Sequence, residues 1–262
     1  MHWPVDSFMH PQILSTQQLQ DFARDGFLLV RKPMEPKEID QVVSWVNEVQ
    51  SFPEEPGKHM MYFEKSLLAS GDRLLQRMEN VYEYHEGFKG LFDSDRIKGV
   101  VSDLLGEPAV LFKDKINFKL PGGGGFDWHQ DQQAGWWVYA PIFITALICI
   151  DPVTSDNGPL ELSAGHHKQG LIGKEWEPLN DNNMEGMKFE PVLLEPGDMV
   201  FFDSFVPHGS GPNLTDQPRR VLYITYNKLS EGDHRKQYYA DKRKNFPPDC
   251  ERDPEKEYKF RV

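Results

Sequence analysis

Ile142-Phe143-Ile144-Thr145-Ala146-Leu147-Ile148-Cys149-Ile150 is an apolar, β-branched run of the kind that fills a buried strand. Shorter runs of the same character recur from residue 109 onward: Ala109–Phe112, Lys115–Leu120, Val192–Leu194, Met199–Phe202 and Val221–Tyr226. Clusters of Gly, Pro, Asn and Asp separate them. Short strands punctuated by such turn residues predict a sandwich or barrel of antiparallel strands. Cys149, inside the longest run, reads as a small buried hydrophobe.

Upstream of residue 109 the pattern reads as helical. Ser15-Thr16-Gln17-Gln18 has the spacing of a capping box and opens a helix that ends near Gly26. Phe27-Leu28-Leu29-Val30 reads as a short buried strand. Ile39, Val42, Val43, Val46 and Val49 recur every three or four residues, which places them on the buried face of a helix. A further helix is expected from about Ser94 to Leu105, stopping at Gly106. The tail beyond Lys228 mixes charge with Tyr238, Tyr239 and Phe246, and is expected to pack on the core. The chain thus reads as one mainly β domain with flanking helices: a helical N-terminal part at about 1–108, a β core at about 109–228, and a packed tail at 229–262.

Composition narrows the function. Hydrophobic residues make up 39% and aromatics 12% of the 262 residues, enough for a substantial core. The net charge of −12 gives no general affinity for nucleic acid or an anionic membrane, because phosphate binding needs a basic surface. A small-molecule substrate is the expected partner, and an anionic one would need a few locally placed Arg or Lys residues. Two cysteines are too few for a disulfide scaffold or a cysteine-based zinc site. Met1–Asp6 lacks a basic segment followed by an apolar one, so no secretory signal is expected. No run approaches the roughly 20 apolar residues of a membrane span. Asn213-Leu214-Thr215 reads as a turn rather than a glycosylation site, and a cytoplasmic location is the expectation. None of these features specifies an oligomeric state.

The chemistry concentrates in Phe126-Asp127-Trp128-His129-Gln130-Asp131. On a strand, residues i and i+2 face one side, so His129 and Asp131 can point at one ion. The best third ligand is His208, directly after the apolar strand Met199–Phe202, in Phe202-Asp203-Ser204-Phe205-Val206-Pro207-His208-Gly209. Two imidazoles and a carboxylate on one face of a metal make the facial triad of non-haem iron(II) oxygenases. The open positions let a keto acid chelate the ion and dioxygen bind. A His-x-Asp pair alone occurs by chance in many chains, so its weight comes from its surroundings. Arg219 follows His208 by eleven residues and is placed to reach the distal carboxylate of 2-oxoglutarate in bidentate fashion. Arg220 reads as a solvated strand end.

Four segments in this order resemble the phytanoyl-CoA dioxygenase-like branch of the iron(II)/2-oxoglutarate oxygenases. They are Trp128-His129-Gln130-Asp131; Asp156-Asn157-Gly158-Pro159-Leu160 with Ala164-Gly165-His166-His167-Lys168; Pro196-Gly197-Asp198; and Pro207-His208 with Arg219. The resemblance covers roughly residues 110–227. It implies a double-stranded β-helix (jelly-roll, cupin-like) core with helices packed outside. It implies iron(II) held by His129, Asp131 and His208, with Arg219 anchoring 2-oxoglutarate. Asn117 and Lys119 resemble positions that face co-substrate or substrate in relatives, although Lys119 reads equally well as a solvated strand residue. Halogenating relatives carry a small residue in place of the metal carboxylate, so Asp131 implies hydroxylation. His166 and His167 read as loop residues. The implied reaction consumes 2-oxoglutarate and dioxygen, releases succinate and carbon dioxide, and places a hydroxyl on the substrate.

For the substrate, Trp136, Trp137 and Tyr139 after the metal motif, and Tyr82 and Tyr84 upstream, would suit a cationic or quaternary ammonium group. Their alternative is to pack the core. Rings combined with Lys or Arg would suit a zwitterion. Lys119-Leu120-Pro121-Gly122-Gly123-Gly124-Gly125, the run His129–Trp136, and the tail segments Ser230–His234 and Tyr238–Arg243 are similar to the subgroup that hydroxylates 2-aminoethylphosphonate and its N-methylated relatives at the carbon next to phosphorus. Gly122–Gly125 reads either as a mobile loop over the substrate or as a flexible connection. Two other readings stand beside this one: a hydroxylase of another small metabolite (an amino acid, a betaine or a secondary-metabolite intermediate), and a non-catalytic jelly-roll protein that binds a metal or ligand.

Overall fold

The computed structural model describes residues 12–68 and 72–258; the Met1–Asp6 reading lies outside them. The N-terminal part carries α1 (Thr16–Asp25), β1 (Phe27–Val30), α2 (Pro36–Gln50), β2 (Met60–Lys65), β3 (Arg73–Glu79), α3 (Glu86–Phe92) and α4 (Val100–Leu105). The β core carries β4 (Ala109–Asn117), β5 (Phe126–His129), β6 (Ile144–Cys149), β7 (Glu161–Leu162), β8 (Glu190–Pro191), β9 (Met199–Asp203), β10 (His208–Ser210) and β11 (Val221–Lys228). The tail forms α5 (Arg235–Asn245). Two antiparallel sheets result: a large one ordered β1-β9-β6-β11-β4-β3-β2 and a small one ordered β5-β10-β7-β8. This is a jelly roll, with helices laid on the outer face of the large sheet.

Side-chain alternation sorts the two faces of that sheet. On β11, Leu222, Ile224 and Tyr226 join a core shared with Val42, Val46 and Val49 of α2 and with Val101 and Leu105 of α4. Val221 and Tyr223 turn inward, to a second core with Leu147, Cys149, Leu162 and Phe202. The local signals behave as their chemistry requires. Ser15 and Gln18 close the capping box of α1, and Gly26 ends it at φ 85°. Gly106 ends α4 at φ 73°, while the turn before it, Asp95–Gly99, is wound as a π-helix. Cys149 is buried and free. Among the described residues no helix is long and apolar enough to cross a membrane.

Several boundaries differ from the sequence expectation. The N-terminal part is not purely helical, because the β2–β3 hairpin extends the large sheet past β4. Ala109–Phe112 and Lys115–Leu120 are not two strands but one, β4, which runs through the charged pair Lys113-Asp114. The same strand stops at Asn117, since Phe118 N–H turns to Gln76 O and Lys119 takes a φ of 26°. The expected strand at Val192–Leu194 is reduced to a bridge between Leu194 and Val153, with β8 just before it. The tail packs as expected: Tyr238 and Tyr239 of α5 are buried against Phe112, Trp136 and Phe143.

Candidate metal centre and its cavity

β5 and β10 lie side by side in the small sheet, with His129 directly opposite His208. Both histidines are oriented the same way. His129 Nδ1 lies 2.6 Å from Asp127 O, and His208 Nδ1 lies 2.9 Å from Val206 O. A carbonyl can only accept, so each Nδ1 carries the proton and each Nε2 presents a lone pair. Asp131 is not on the strand with His129, as expected from the i, i+2 reading. β5 ends at His129, and Asp131 begins a 3-10 turn at Asp131–Ala134 that brings its carboxylate within 4.0 Å of His129 Nε2. Nor does His208 hang from a strand end; it starts β10. Donor atoms of His129, Asp131 and His208 all lie within 4.8 Å of one another, and no other group of three such residues is found among the described residues.

The electrostatics suit a cation. Burial and the neighbouring His208 lower His129 to about 3, so its ring is neutral at physiological pH. Burial likewise lowers His208. Burial pushes Asp131 upward, but His208, Lys115 and His129 outweigh it and hold the carboxyl below its usual range. Two neutral imidazoles and a carboxylate on one side of an opening are the donor set of an open-faced divalent metal site.

The triad faces a cavity of about 700 Å³. Its lining includes Lys113, Lys115 and Asn117, alternate residues on one face of β4, with Tyr223 and Thr225 of β11 beside them. Trp136 is buried in the wall, while Trp137 is 61% exposed and Trp176 48% exposed where the cavity opens. Tyr139 also lines it and donates to Asp241 at 2.7 Å.

Other expected residues fall elsewhere. Tyr82 does not line the cavity; its ring stacks on Phe92 and its hydroxyl donates to Asp93. Tyr84 is exposed and bonds Gly57 O. Lys119 is buried outside the cavity, where its ammonium donates to Ser210 Oγ at 2.7 Å, Gly211 O at 2.5 Å and Gly158 O at 3.3 Å. It is therefore neither a cavity residue nor a solvated one. Arg219 is 2% exposed. Its Nη2 donates to Gly158 O, while its Nε has no hydrogen-bond partner among the described residues. Asn117 Oδ1, in the cavity wall, is equally without a partner. Arg220 is not a solvated end: it grips Asp151 through Nε and Nη2 at 2.8 and 2.9 Å. Gly122–Gly125 is a pinned connection, with Gly122 N–H bonded to Asn213 O and Gly123 O accepting from Asn213 N–H.

The sequence reading missed Arg77, Glu79 and Lys242, which also line the cavity. Glu79 accepts from Arg77 Nε at 2.9 Å and from Lys242 at 2.8 Å. Arg77 and Glu79 sit on β3, and Lys242 on α5, two elements that the sequence pattern did not announce.

A family model for phytanoyl-CoA dioxygenase matches residues 22–221. A 2-aminoethylphosphonate dioxygenase from the uncultured bacterium HF130_AEPn_1 is 39% identical over 92% of this chain and 92% of its own. A methylphosphonate hydroxylase from Gimesia maris is 38% identical over 89% of this chain and 88% of its own. Among solved structures, EctD from S. alaskensis with 2-oxoglutarate and 5-hydroxyectoine superposes with a TM-score of 0.72 at 20% identity, covering 88% of this chain and 80% of that one.

Proposed function

Since the chain belongs to the phytanoyl-CoA dioxygenase family, we propose that it is an iron(II)/2-oxoglutarate-dependent dioxygenase that hydroxylates the carbon next to phosphorus of a small phosphonate, 2-aminoethylphosphonate or an N-methylated relative. The observation that carries the reading is the convergence of His129, Asp131 and His208 on one point of a cavity lined by buried cations. Relatives at 38–39% identity that act on phosphonates give the substrate class.

Iron(II) bound by this triad would couple the oxidative decarboxylation of 2-oxoglutarate by dioxygen to hydroxylation of a C–H bond. The carbonyls of Asp127 and Val206 fix both imidazoles so that Nε2 faces the ion. Arg219, buried with an unused Nε behind the cavity-lining Tyr223, would meet the distal carboxylate of 2-oxoglutarate, and Asn117, opposite Val221 on the neighbouring strand, carries an unpaired Oδ1 in the cavity wall. Trp136, Phe202 and Leu160 form apolar wall that limits water around the reacting carbon.

The test is succinate formation from 2-oxoglutarate with iron(II), ascorbate and air, across 2-aminoethylphosphonate, its trimethylammonium analogue, methylphosphonate and carboxylate zwitterions. Strong stimulation by one phosphonate, with a hydroxylated product in equal amount, is expected. Stimulation only by a carboxylate zwitterion would replace the substrate while keeping the reaction. An absence of any iron-dependent succinate would favour a non-catalytic binding protein.

A further inference from the structure

Lys113 and Lys115 project from one face of β4 into the cavity. Lys113 is only 6% exposed. Neither ammonium has a hydrogen bond or a carboxylate partner among the described residues. What they have instead are rings: Lys113 Nζ lies 4.6 Å from the centre of Trp136 and 5.5 Å from Tyr238, and Lys115 Nζ lies 4.7 Å from Tyr223. A ring face offsets part of the cost of burying an ammonium, but not the loss of all its hydrogen bonds. Glu79, the nearest lining carboxylate on β3, is already engaged by Arg77 and Lys242. Both lysines feel the carboxylates of Glu79 and Asp131 across the cavity, but no carboxylate forms an ion pair or hydrogen bond with either ammonium among the described residues.

We propose that Lys113, assisted by Lys115, binds the phosphonate group of the substrate. This rests on the phosphonate reading above and adds the residues that recognise it. The placement fits the chemistry in three ways. A phosphonate dianion carries the charge and the acceptor oxygens that two ammonium groups lack. Lys113 and Lys115 line the same cavity as His129, Asp131 and His208, so an anion held by the pair keeps its adjacent carbon in the cavity that the metal ligands face. The opposite end of a zwitterion would point to the opening, where Glu175 precedes the exposed ring of Trp176 and Asp241 bonds Tyr139. Lys113 is also well separated from the co-substrate end, since Asn117 lies four residues further along β4, about 13 Å at strand rise.

The experiment is an anaerobic titration of 2-aminoethylphosphonate into the iron(II)- and 2-oxoglutarate-loaded protein, as wild type, Lys113→Met and Lys113→Arg, with 2-oxoglutarate affinity measured on each. Lys113→Met should weaken phosphonate binding roughly 10–100-fold, Lys113→Arg should recover most of it, and 2-oxoglutarate affinity should stay within twofold in both. Equal phosphonate affinity in wild type and folded Lys113→Met overturns the assignment and leaves the phosphonate reading standing. A parallel loss of 2-oxoglutarate affinity also overturns it, by placing Lys113 with the co-substrate. Failure of the wild type itself to bind or turn over any phosphonate removes the phosphonate reading, and this inference with it.

Discussion

The cavity has two ends built in opposite ways. At the metal end, His129 and Asp131 are two residues apart, and His208 sits across a strand pair from His129. Each histidine is oriented by a carbonyl two residues before it, so the direction of each ring is set by its own backbone. At the cationic end, Arg77 and Glu79 come from β3, Lys113 from β4 and Lys242 from α5, segments that meet only in the folded chain. The metal end is held by backbone, through the β5–β10 pairing and the carbonyls that orient each histidine; the cationic end is held by charge pairing between side chains. Loss of a side chain should therefore have different consequences at the two ends.

At the metal end the largest effect should be on chemistry and not on folding. Asp131→Ala removes the only carboxylate of the triad while leaving the β5–β10 pairing and the Nδ1 bonds of both histidines in place. Turnover should be abolished, with iron affinity greatly reduced and the unfolding midpoint close to that of wild type. Normal succinate formation by the folded variant would break the triad assignment.

At the cationic end the order should reverse. Glu79 is 1% exposed, and burial raises its carboxyl, but Lys242, Lys113 and Arg77 outweigh this and hold it well below the usual carboxylate range. Glu79→Gln leaves Arg77 and Lys242 buried without their anion, a change that typically costs about 3–5 kcal/mol. The sign of the pH dependence follows from the lowered value. The stabilisation is fully present above the unfolded-state value of 4.5 and is lost as pH falls toward the folded one. Wild type and variant should therefore differ most in denaturant melts near pH 7, with the difference starting to shrink only as pH falls below about 4.5. A difference under 1 kcal/mol at pH 7 would mean that the pairing does not hold this end together.

The same contrast explains what could be read from the chain. His129, Asp131 and His208 stand near strands whose apolar pattern is strong, so a short motif was enough to single out the three residues whose donor atoms converge. Lys113 and Asp114 had the opposite effect: two charges inside β4 broke its apolar pattern and split one strand into two expected ones. Only the folded chain accounts for their burial. Asp114 accepts from Val81 N–H and pairs with Arg235, and Lys113 faces the cavity. β3 was missed for the same reason, since Arg77 and Glu79 interrupt its alternation, and Lys242, which pairs with Glu79, lies 163 residues away from it. Aromatic content misled in the other direction: Tyr82 carries a ring suited to a cation, yet the cation over its face is the protein's own Arg235.

Arg219 belongs to neither pattern, and its loss should have a smaller, more selective effect. It is legible from its spacing to His208, but its surroundings are assembled from afar, through Gly158 O and the neighbouring Tyr223. Burial lowers this guanidinium from its ordinary value, and no carboxylate is paired with it among the described residues. A charge-assisted hydrogen bond to a carboxylate contributes about 1.5–3 kcal/mol. Arg219→Ala should therefore raise the KM for 2-oxoglutarate roughly 10–100-fold, while the KM for the phosphonate changes little. Because the variant also removes an unpaired buried charge, its stability should fall less than that of Glu79→Gln. An unchanged 2-oxoglutarate KM would transfer the distal carboxylate to another cation, and buried Lys119, which shares Gly158 O with Arg219, is the next residue to substitute.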